Sequence, residues 1–420
     1  PSDRSGISSD VRAPQTPSAM TSIIAPAPER LRYLRPELPP LEELARYYAL
    51  SEERQWYSNQ GPCYERFAAS LADYVGNVQC VPVNNCTLGL MVALRVVCGE
   101  PAGRRRLIAL PSFTFTATAC AVKWAGFEPL FVDIERDSFQ LDPNALDAAL
   151  AAHEGRVAGV LGCATFGTAP PSATRQGWRD ACARYNLPLV MDSAAGFGAV
   201  DEHGVLLGAQ GDTEVFSFHA TKPFAIGEGG AIITRQPSVA ERVERVMNFG
   251  IDPTNSMSGL PGLNAKLSEL HCAMGLATLD RYRTILAARR GTVAKMKQAV
   301  ADHPVGYQAG SEGSTWQGFH VTLPTAALRN RAVSFARQEL IEVRKCWDPP
   351  LHQHPAFAGA PDGGDLTVTE QVAARSITLP MANRLGPRQI DRIARLIELV
   401  FSTDHHRRPR RAPDAPRRAI

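Results

Sequence analysis

Nowhere in these 420 residues does a CxxC pair occur. The nine cysteines, spread from Cys63 to Cys346, are odd in number and set mostly among apolar neighbours. Such usage argues against a disulfide framework and for reduced, buried thiols in a cytoplasmic protein. Uncharged apolar runs long enough to span a membrane are missing. The Pro- and Ser-rich opening stretch has no apolar signal core. Because the chain begins at Pro1, Met20 is taken as a candidate natural start. A real excess of positive charge is lacking too. The net charge is +3, but the last stretch, HHRRPRRAPDAPRRAI, holds six arginines against one aspartate, which leaves the remainder near −2. A near-neutral body offers no basic face to nucleic acid. The tail reads as solvated and disordered rather than as an arm for nucleic acid or a membrane surface. No internal repeat is present, and no metal site is expected.

What is there is an alternation. Short apolar strands (Val78–Val83, Leu107–Leu110, Pro129–Val132, Val157–Cys163, Pro188–Met191, Glu214–Phe218) are separated by helices. The helices are Leu88–Val97, Phe115–Ala125, Pro143–Ala152 and Ser172–Tyr185. Strands with so few charges, joined by helices, imply an α/β fold with a mainly parallel sheet covered on both faces. Further helices are expected over Pro237–Asn248 and, long and amphipathic, over Ala265–Val300. From His303 the pattern changes to a smaller α+β unit, with strands Phe319–Leu323 and Ile377–Leu379 and helices Ala327–Gln338 and Pro387–Phe401. The expected organisation is a disordered tail (1–30), a large domain (31–300), a small C-terminal domain (301–403) and a disordered basic tail (404–420). In such sheets ligands gather beyond the carboxyl ends of the strands. The polar turns Asn84–Thr87, Pro111–Thr116, Asp192–Gly196 and Ser217–Lys222 all follow predicted strands, so they can converge on one site.

The richest turn is EVFSFHATKPFAIGEGGAIITR, Glu214–Arg235. A strand runs into hydroxyls and Lys222, then a glycine-rich loop, then a second strand. Taken alone, a lysine in a hairpin loop is more often a surface residue. Asp192, thirty positions earlier at the end of LPLVMD, changes those odds. A lysine amine can form an imine with an aldehyde cofactor, and a carboxylate can keep a pyridine nitrogen protonated, so the pair suits pyridoxal phosphate. Asn85, Cys86 and Thr87 open a helix whose free N–H groups can hold a phosphate, although Asn and Thr are also ordinary helix caps. Ser217 and Thr221 can add donors. Phe115 can stack on a flat ring, or simply pack in the core. Glu228 in GEGG opposes a nucleotide phosphate loop at that position.

SFHATKPFAIGEGGAI resembles the lysine motif of the DegT/DnrJ/EryC1/StrS sugar aminotransferases, which are fold type I pyridoxal-phosphate enzymes. YSNQGP, NNCTLGLMVAL, PSFTFTATACAVKWAGFEPLFVDIERDSFQLDP, MDSAAGFGA, GLNAKLSELHCAMGLATLDR and WDPPLHQHPAF resemble further motifs in that family's order, from about Leu31 to Ser402. The resemblance implies that Lys222 binds the cofactor aldehyde and moves the proton, and that Asp192 pairs with the ring nitrogen. It implies that Phe115 stacks on the ring and that Cys86, Thr87 and Ser217 hold the phosphate. Asn248, in MNFGI, would reach the phosphate of a neighbouring subunit in a homodimer with shared sites. Asn59, His219, Trp347 and His352 are candidates to meet the substrate. Two positions depart from the family. Ala195 stands where a glutamine usual in the family would lie near the ring hydroxyl, and Ala164 stands where a histidine is frequent. The implied activity is transfer of an amino group, with L-glutamate as donor, to a keto sugar carried on a nucleotide. A cyclitol or other ketone is an alternative substrate. Cofactor binding without turnover, and nucleic-acid binding through the tail, are the readings from other classes. Lys222 disfavours the dehydratase branch, in which histidine replaces the lysine.

Overall fold

The computed structural model describes residues 29–402. Met20 and the tails expected to be disordered lie outside them, apart from Glu29 and Arg30. Two helices, α1 (Leu41–Arg54) and α2 (Pro62–Val75), precede the alternating region. There follow β1 (Gln79–Val83), α3 (Cys86–Cys98), β2 (Leu107–Pro111), α4 (Thr116–Trp124) and β3 (Glu128–Val132). Next come α5 (Pro143–Ala152), β4 (Val157–Cys163), α6 (Ser172–Arg184), β5 (Leu189–Asp192), β6 (Thr213–Ser217) and β7 (Gly230–Thr234). The chain continues through α7 (Pro237–Val246) and α8 (Glu269–Ala299) to β8 (Phe319–Thr322), α9 (Ala326–Gln338), α10 (Thr367–Arg375), β9 (Ser376–Leu379) and α11 (Pro387–Phe401).

The seven strands β1–β7 form one sheet in the order β1-β7-β6-β5-β4-β2-β3. Only β7 runs against the rest, pairing antiparallel with both β6 and β1. The strands bury both faces, as a covered parallel sheet must. In β2, Ile108 and Leu110 enter the core beneath α3 and α4, while Leu107 and Ala109 enter the core beneath α5 and α6. That two-residue alternation sends successive side chains to opposite faces. Trp178 of α6 seals the second face, its indole N–H donating to Leu141 O at 2.8 Å.

A separate core lies around the antiparallel pair β8–β9, with Phe319 opposite Leu379. Ile390, Ile393, Leu396, Ile397 and Val400 of α11 cover it at helical three- and four-residue spacing. The helix α8 serves both cores: Cys272 to Leu286 pack in the first, Val293 and Met296 in the second. The α/β class with a smaller antiparallel unit is therefore as expected.

Some boundaries differ, for local reasons. The long helix starts at Glu269, not Ala265, because Ser268 caps it by accepting from His271 N. The preceding Ala265 and Lys266 are extended beside β1, where Asn84 N donates to Ala265 O at 2.7 Å. The helix expected from Leu88 starts at Cys86, with Asn85 as its cap. The short α10 was not anticipated. Among the described residues no helix is long and apolar enough to cross a membrane, and no group of three or more His, Cys, Asp or Glu could hold a metal ion.

Candidate active site

The carboxyl ends of β1, β2, β5 and β6 open on the same edge of the sheet, and the loop joining β6 to β7 lies across them. At the end of β1, Asn85 Oδ1 accepts from Leu88 N at 2.9 Å, which caps α3. The first-turn N–H groups of Cys86 and Thr87 have no acceptor within the helix, so α3 presents a site suited to an anion. Gly230, opposite Ser217 in the ladder, allows this arrangement. A Cβ there would lie 2.6 Å from Phe216 O and 3.0 Å from Cys86 N. Ser217 is buried, and its Oγ accepts from His219 N at 3.3 Å.

Asp192 ends β5 and is 8% exposed. The Thr118 hydroxyl donates to its Oδ2 at 2.7 Å, and Ala194 N donates to Oδ1 at 3.1 Å. Burial pushes the Asp192 carboxyl above the usual range; the two donors and the Lys222 charge pull the other way. Behind Thr118, Thr114 Oγ1 lies 3.0 Å from its hydroxyl and 3.4 Å from Cys163 Sγ. Thr118 was not singled out from the sequence. The available signal was the run of threonines in PSFTFTATA, where Thr118 lies in the first turn of α4 and Thr114 just before its cap. Phe115, at the cap position of α4, is 59% exposed.

The loop carrying Lys222 is held at its base. Phe218 N donates to Gly229 O, Ile226 N to Phe218 O and Ala220 N to Gly227 O, each at 2.8 Å. Phe218 and Phe224 pack 4.7 Å apart, and Phe224 lies 4.9 Å from both Phe197 and Tyr282, so the loop is pinned to the core. Lys222 itself is half-buried. Its Nζ donates to Gln317 Oε1 at 3.3 Å. Burial lowers the Lys222 ammonium below the usual lysine range, while Cys86 and Asp192 oppose that shift. Burial also pushes the Cys86 thiol well above its usual range, so it stays neutral.

The other candidates are more dispersed. His219 Nδ1 accepts from Thr221 N at 3.2 Å and lies 2.8 Å from its hydroxyl, while Nε2 is 3.5 Å from Glu228. Asn248 Oδ1 accepts from Lys266 Nζ at 2.9 Å beside a cleft of about 360 Å³. Asn59 is exposed, with φ +60°. Its loop is fixed by buried Glu269, which accepts from Gly61 N, Cys63 N, Tyr64 N and Ser51 Oγ at 2.7–3.1 Å. Trp347 stacks on Phe166 at 4.5 Å, and Phe166 on buried His320 at 3.7 Å.

His352 Nδ1 lies 2.7 Å from Ser112 Oγ and Nε2 3.2 Å from Glu370. That resembles a hydrolase triad, but Ser112 is fully buried and its Oγ accepts from His352 N at 3.1 Å, so the trio anchors a loop. Ala195 offers only a backbone oxygen, which accepts from Thr315 Oγ1 at 2.6 Å. Gln317, Arg289, His320 and Glu269 were missed, since each acts on a partner distant in sequence.

A buried carboxylate, a half-buried amine, a helix N-terminus suited to an anion and an exposed aromatic thus follow strands whose carboxyl ends share one edge of the sheet. The chain is 36% identical over 376 residues to Protein Rv3402c of Mycobacterium tuberculosis (strain ATCC 25618 / H37Rv), covering 88% of this chain and 89% of that one. It is 27% identical over 375 residues to the dTDP-4-amino-4,6-dideoxy-D-glucose transaminase of Shigella dysenteriae, covering 88% and 96%. The crystal structure of DesI in the presence of its TDP-sugar product superposes with a TM-score of 0.79 at 31% identity, covering 88% and 92%. The pattern of the DegT/DnrJ/EryC1/StrS aminotransferase family matches residues 42–398. This chain therefore belongs to the DegT/DnrJ/EryC1/StrS aminotransferase family, whose cofactor is pyridoxal phosphate.

Proposed function

We propose that this enzyme is a cytoplasmic homodimer that transfers an amino group from L-glutamate to a keto sugar carried on a nucleotide, in amino-sugar or natural-product biosynthesis. The observation that carries the reading is that Asp192 ends β5 beside β6, whose following loop carries Lys222, while the N-terminus of α3 lies against Gly230 of the next strand. The TDP-sugar product of DesI and the dTDP-amino-sugar in the name of the Shigella relative support a nucleotide-linked sugar.

The residues present fit the cofactor. Phe115 is exposed, α3 leaves N–H groups without helical acceptors, and Asp192 is a buried carboxylate without a bonded cation among the described residues. When bound, pyridoxal phosphate supplies an aldehyde carbon able to take up an amino group and a ring that withdraws electrons. The N–H groups of Cys86 and Thr87 and the Ser217 hydroxyl would hold its phosphate. Phe115 would cover the ring. Asp192, oriented by Thr118, would keep the ring nitrogen positive through a charge-assisted hydrogen bond. Lys222 would hold the cofactor through Nζ and move the substrate proton. Burial raises the neutral fraction of that amine, which a base working near neutral pH requires.

The subunit reading rests on the surface around the start of α8. Phe249, Met257 and Leu270 are exposed there, with Trp56 and Tyr57 in the loop that Glu269 anchors. Aromatic and Met residues are enriched where subunits meet, and Asn248, which the family resemblance would bring to a neighbour's phosphate, lies in the same region. The nine unpaired cysteines support the cytoplasmic location.

The test loads the full chain with pyridoxal phosphate, converts it with L-glutamate and offers a panel of nucleotide keto sugars. Loss of the visible cofactor band with glutamate, and its return with one of those sugars, is the expected result. A cyclitol ketone belongs in the panel, because Ala164 and Ala195 replace two polar side chains usual in the family. A band that glutamate leaves unchanged would indicate cofactor binding without turnover.

A further inference from the structure

Lys222 approaches its site with one side toward the strand ends and the other toward the small domain. The side toward the small domain is nearly closed. The cleft lined by Glu37, Thr221, Lys222, Arg289 and Asn383 has a volume of only about 10 Å³. On that side the Lys222 amine has a protein partner. One side chain meets it. Gln317 Oε1 accepts from Lys222 Nζ at 3.3 Å, and Gln317 Nε2 donates to Thr221 O at 3.3 Å. A single amide therefore holds both the amine and the backbone carbonyl one residue before it.

Gln317 is held in turn. Arg289 of α8 is 5% exposed, and its guanidinium spans the segment leading to β8. Its Nε donates to Thr315 O at 3.1 Å, and its Nη2 donates to Trp316 O and, at 3.1 Å, to Gln317 O. Its Nη1 donates to Asn383 Oδ1 at 2.8 Å, and Asn383 Nδ2 donates to Glu37 Oε2 at 2.7 Å. A planar fork bound to three successive carbonyls fixes a backbone in a way a lysine could not. The network runs from Glu37 through Asn383 and Arg289 to Gln317, and ends on the nitrogen assigned the central role above.

Resting on the reading under Proposed function, we propose that Gln317 is a positioning residue that aims and charges the Lys222 amine, and that Arg289 holds Gln317 in place. The amide accepts one amine hydrogen and so directs the nitrogen's remaining bonds toward the strand ends. Because the amide comes from the segment leading into β8, the direction of the amine is tied to how the small domain sits on the large one. Position 195, where the chain carries a methyl group, contributes no side-chain hydrogen bond, so this amide is the polar side chain that touches the amine. The other titratable groups that act on it are Asp192 on β5, Cys86 at the start of α3, Cys346 in the loop after α9, and His320 on β8. Burial drives His320 down to about 3, so it is neutral and repels the ammonium little near pH 7.

The test uses the full chain free of cofactor, so that its readout does not depend on the loaded enzyme. Formaldehyde with cyanoborohydride methylates neutral amines, and peptide mass spectrometry gives the labelled fraction at Lys222 across a pH series. Gln317→Glu places a carboxylate against the amine and is expected to move the labelling midpoint upward by about one pH unit, roughly a tenfold loss of labelling at fixed pH. Gln317→Leu removes the acceptor and is expected to move the midpoint downward. Arg289→Lys is expected to move it in the same direction, with no further movement in the Arg289→Lys, Gln317→Leu double variant. Midpoints unchanged in both Gln317 variants, or effects of Arg289 and Gln317 that simply add, overturn the proposal. If the wild-type chain takes no pyridoxal phosphate onto Lys222, the functional reading falls, and the labelling series still decides the role of Gln317.

Discussion

The aspartate wall of the site and its lysine wall are held in different ways. Asp192 is fixed within the large core: β5 carries it, and Thr118 and Ala194 supply its donors. Lys222 has a firmly pinned loop base, but its amine is met by Gln317, ninety-five residues away at the edge of the small domain. One wall is set by the sheet, and the other also depends on how two cores are joined through α8. Changes on the aspartate wall should therefore alter charge and pH response. Changes on the lysine wall should alter the direction and reactivity of one nitrogen.

Substitutions that separate the two walls rank as follows. Lys222→Ala carries the largest expected effect, at least about a 10³-fold loss of single-turnover transamination. Its thermal midpoint should not fall, because a half-buried amine of lowered pKa is removed. Asp192→Asn comes next, with an expected loss of about 10²-fold in kcat, the scale for removing a group aimed at developing charge.

The same change should stabilise the cofactor-free protein at alkaline pH. Burial raises the folded-state pKa of Asp192 above its unfolded value. Its favourable contribution is therefore full at low pH and is lost as pH climbs from the unfolded value through the raised folded one. The asparagine variant escapes that loss, so its advantage in thermal midpoint should widen with pH through this window. A constant offset across pH would count against a buried, ionising Asp192.

Thr118→Val is milder. It removes a donor that lowers the Asp192 pKa, so the acid limb of the rate profile should move to higher pH. The expected cost is about tenfold on that limb, near the value of one hydrogen bond to a charged group. A uniform loss at all pH values would instead mean disturbed packing of α4. The smallest effect is expected from Phe249→Glu, away from both walls. It should shift gel filtration toward the monomer and weaken cofactor retention several-fold at low protein concentration, a loss of order 1 kcal/mol.

The aspartate wall was largely legible in the sequence. LPLVMD is an apolar strand that ends in a chemistry-bearing residue, and a parallel sheet brings such strand ends together whatever the loops between them. The order and direction of the strands were less so. Nothing in GGAIIT marks β7 as the antiparallel member, since buried strands of either direction read as continuous apolar runs. The helix starts at Cys86 and Glu269 shifted because caps and neighbouring extended chain, not periodicity, set them. On the lysine wall, Gln317 sits in TWQGF, a stretch without a motif, and Arg289 reads as one cation among several on a long helix. Their importance comes from tertiary contact alone. His352 and Trp347 were noted in WDPPLHQHPAF, but their partners Ser112, Glu370 and Phe166 could not be foreseen from that loop.

Borohydride reduction of the wild-type protein loaded with pyridoxal phosphate, followed by peptide mass spectrometry, tests the central assignment most directly. The expected result is one pyridoxyl group per chain, on the peptide carrying Lys222, with loading impaired in Asp192→Asn. A label on another lysine, or none at all after saturation with cofactor, would contradict it.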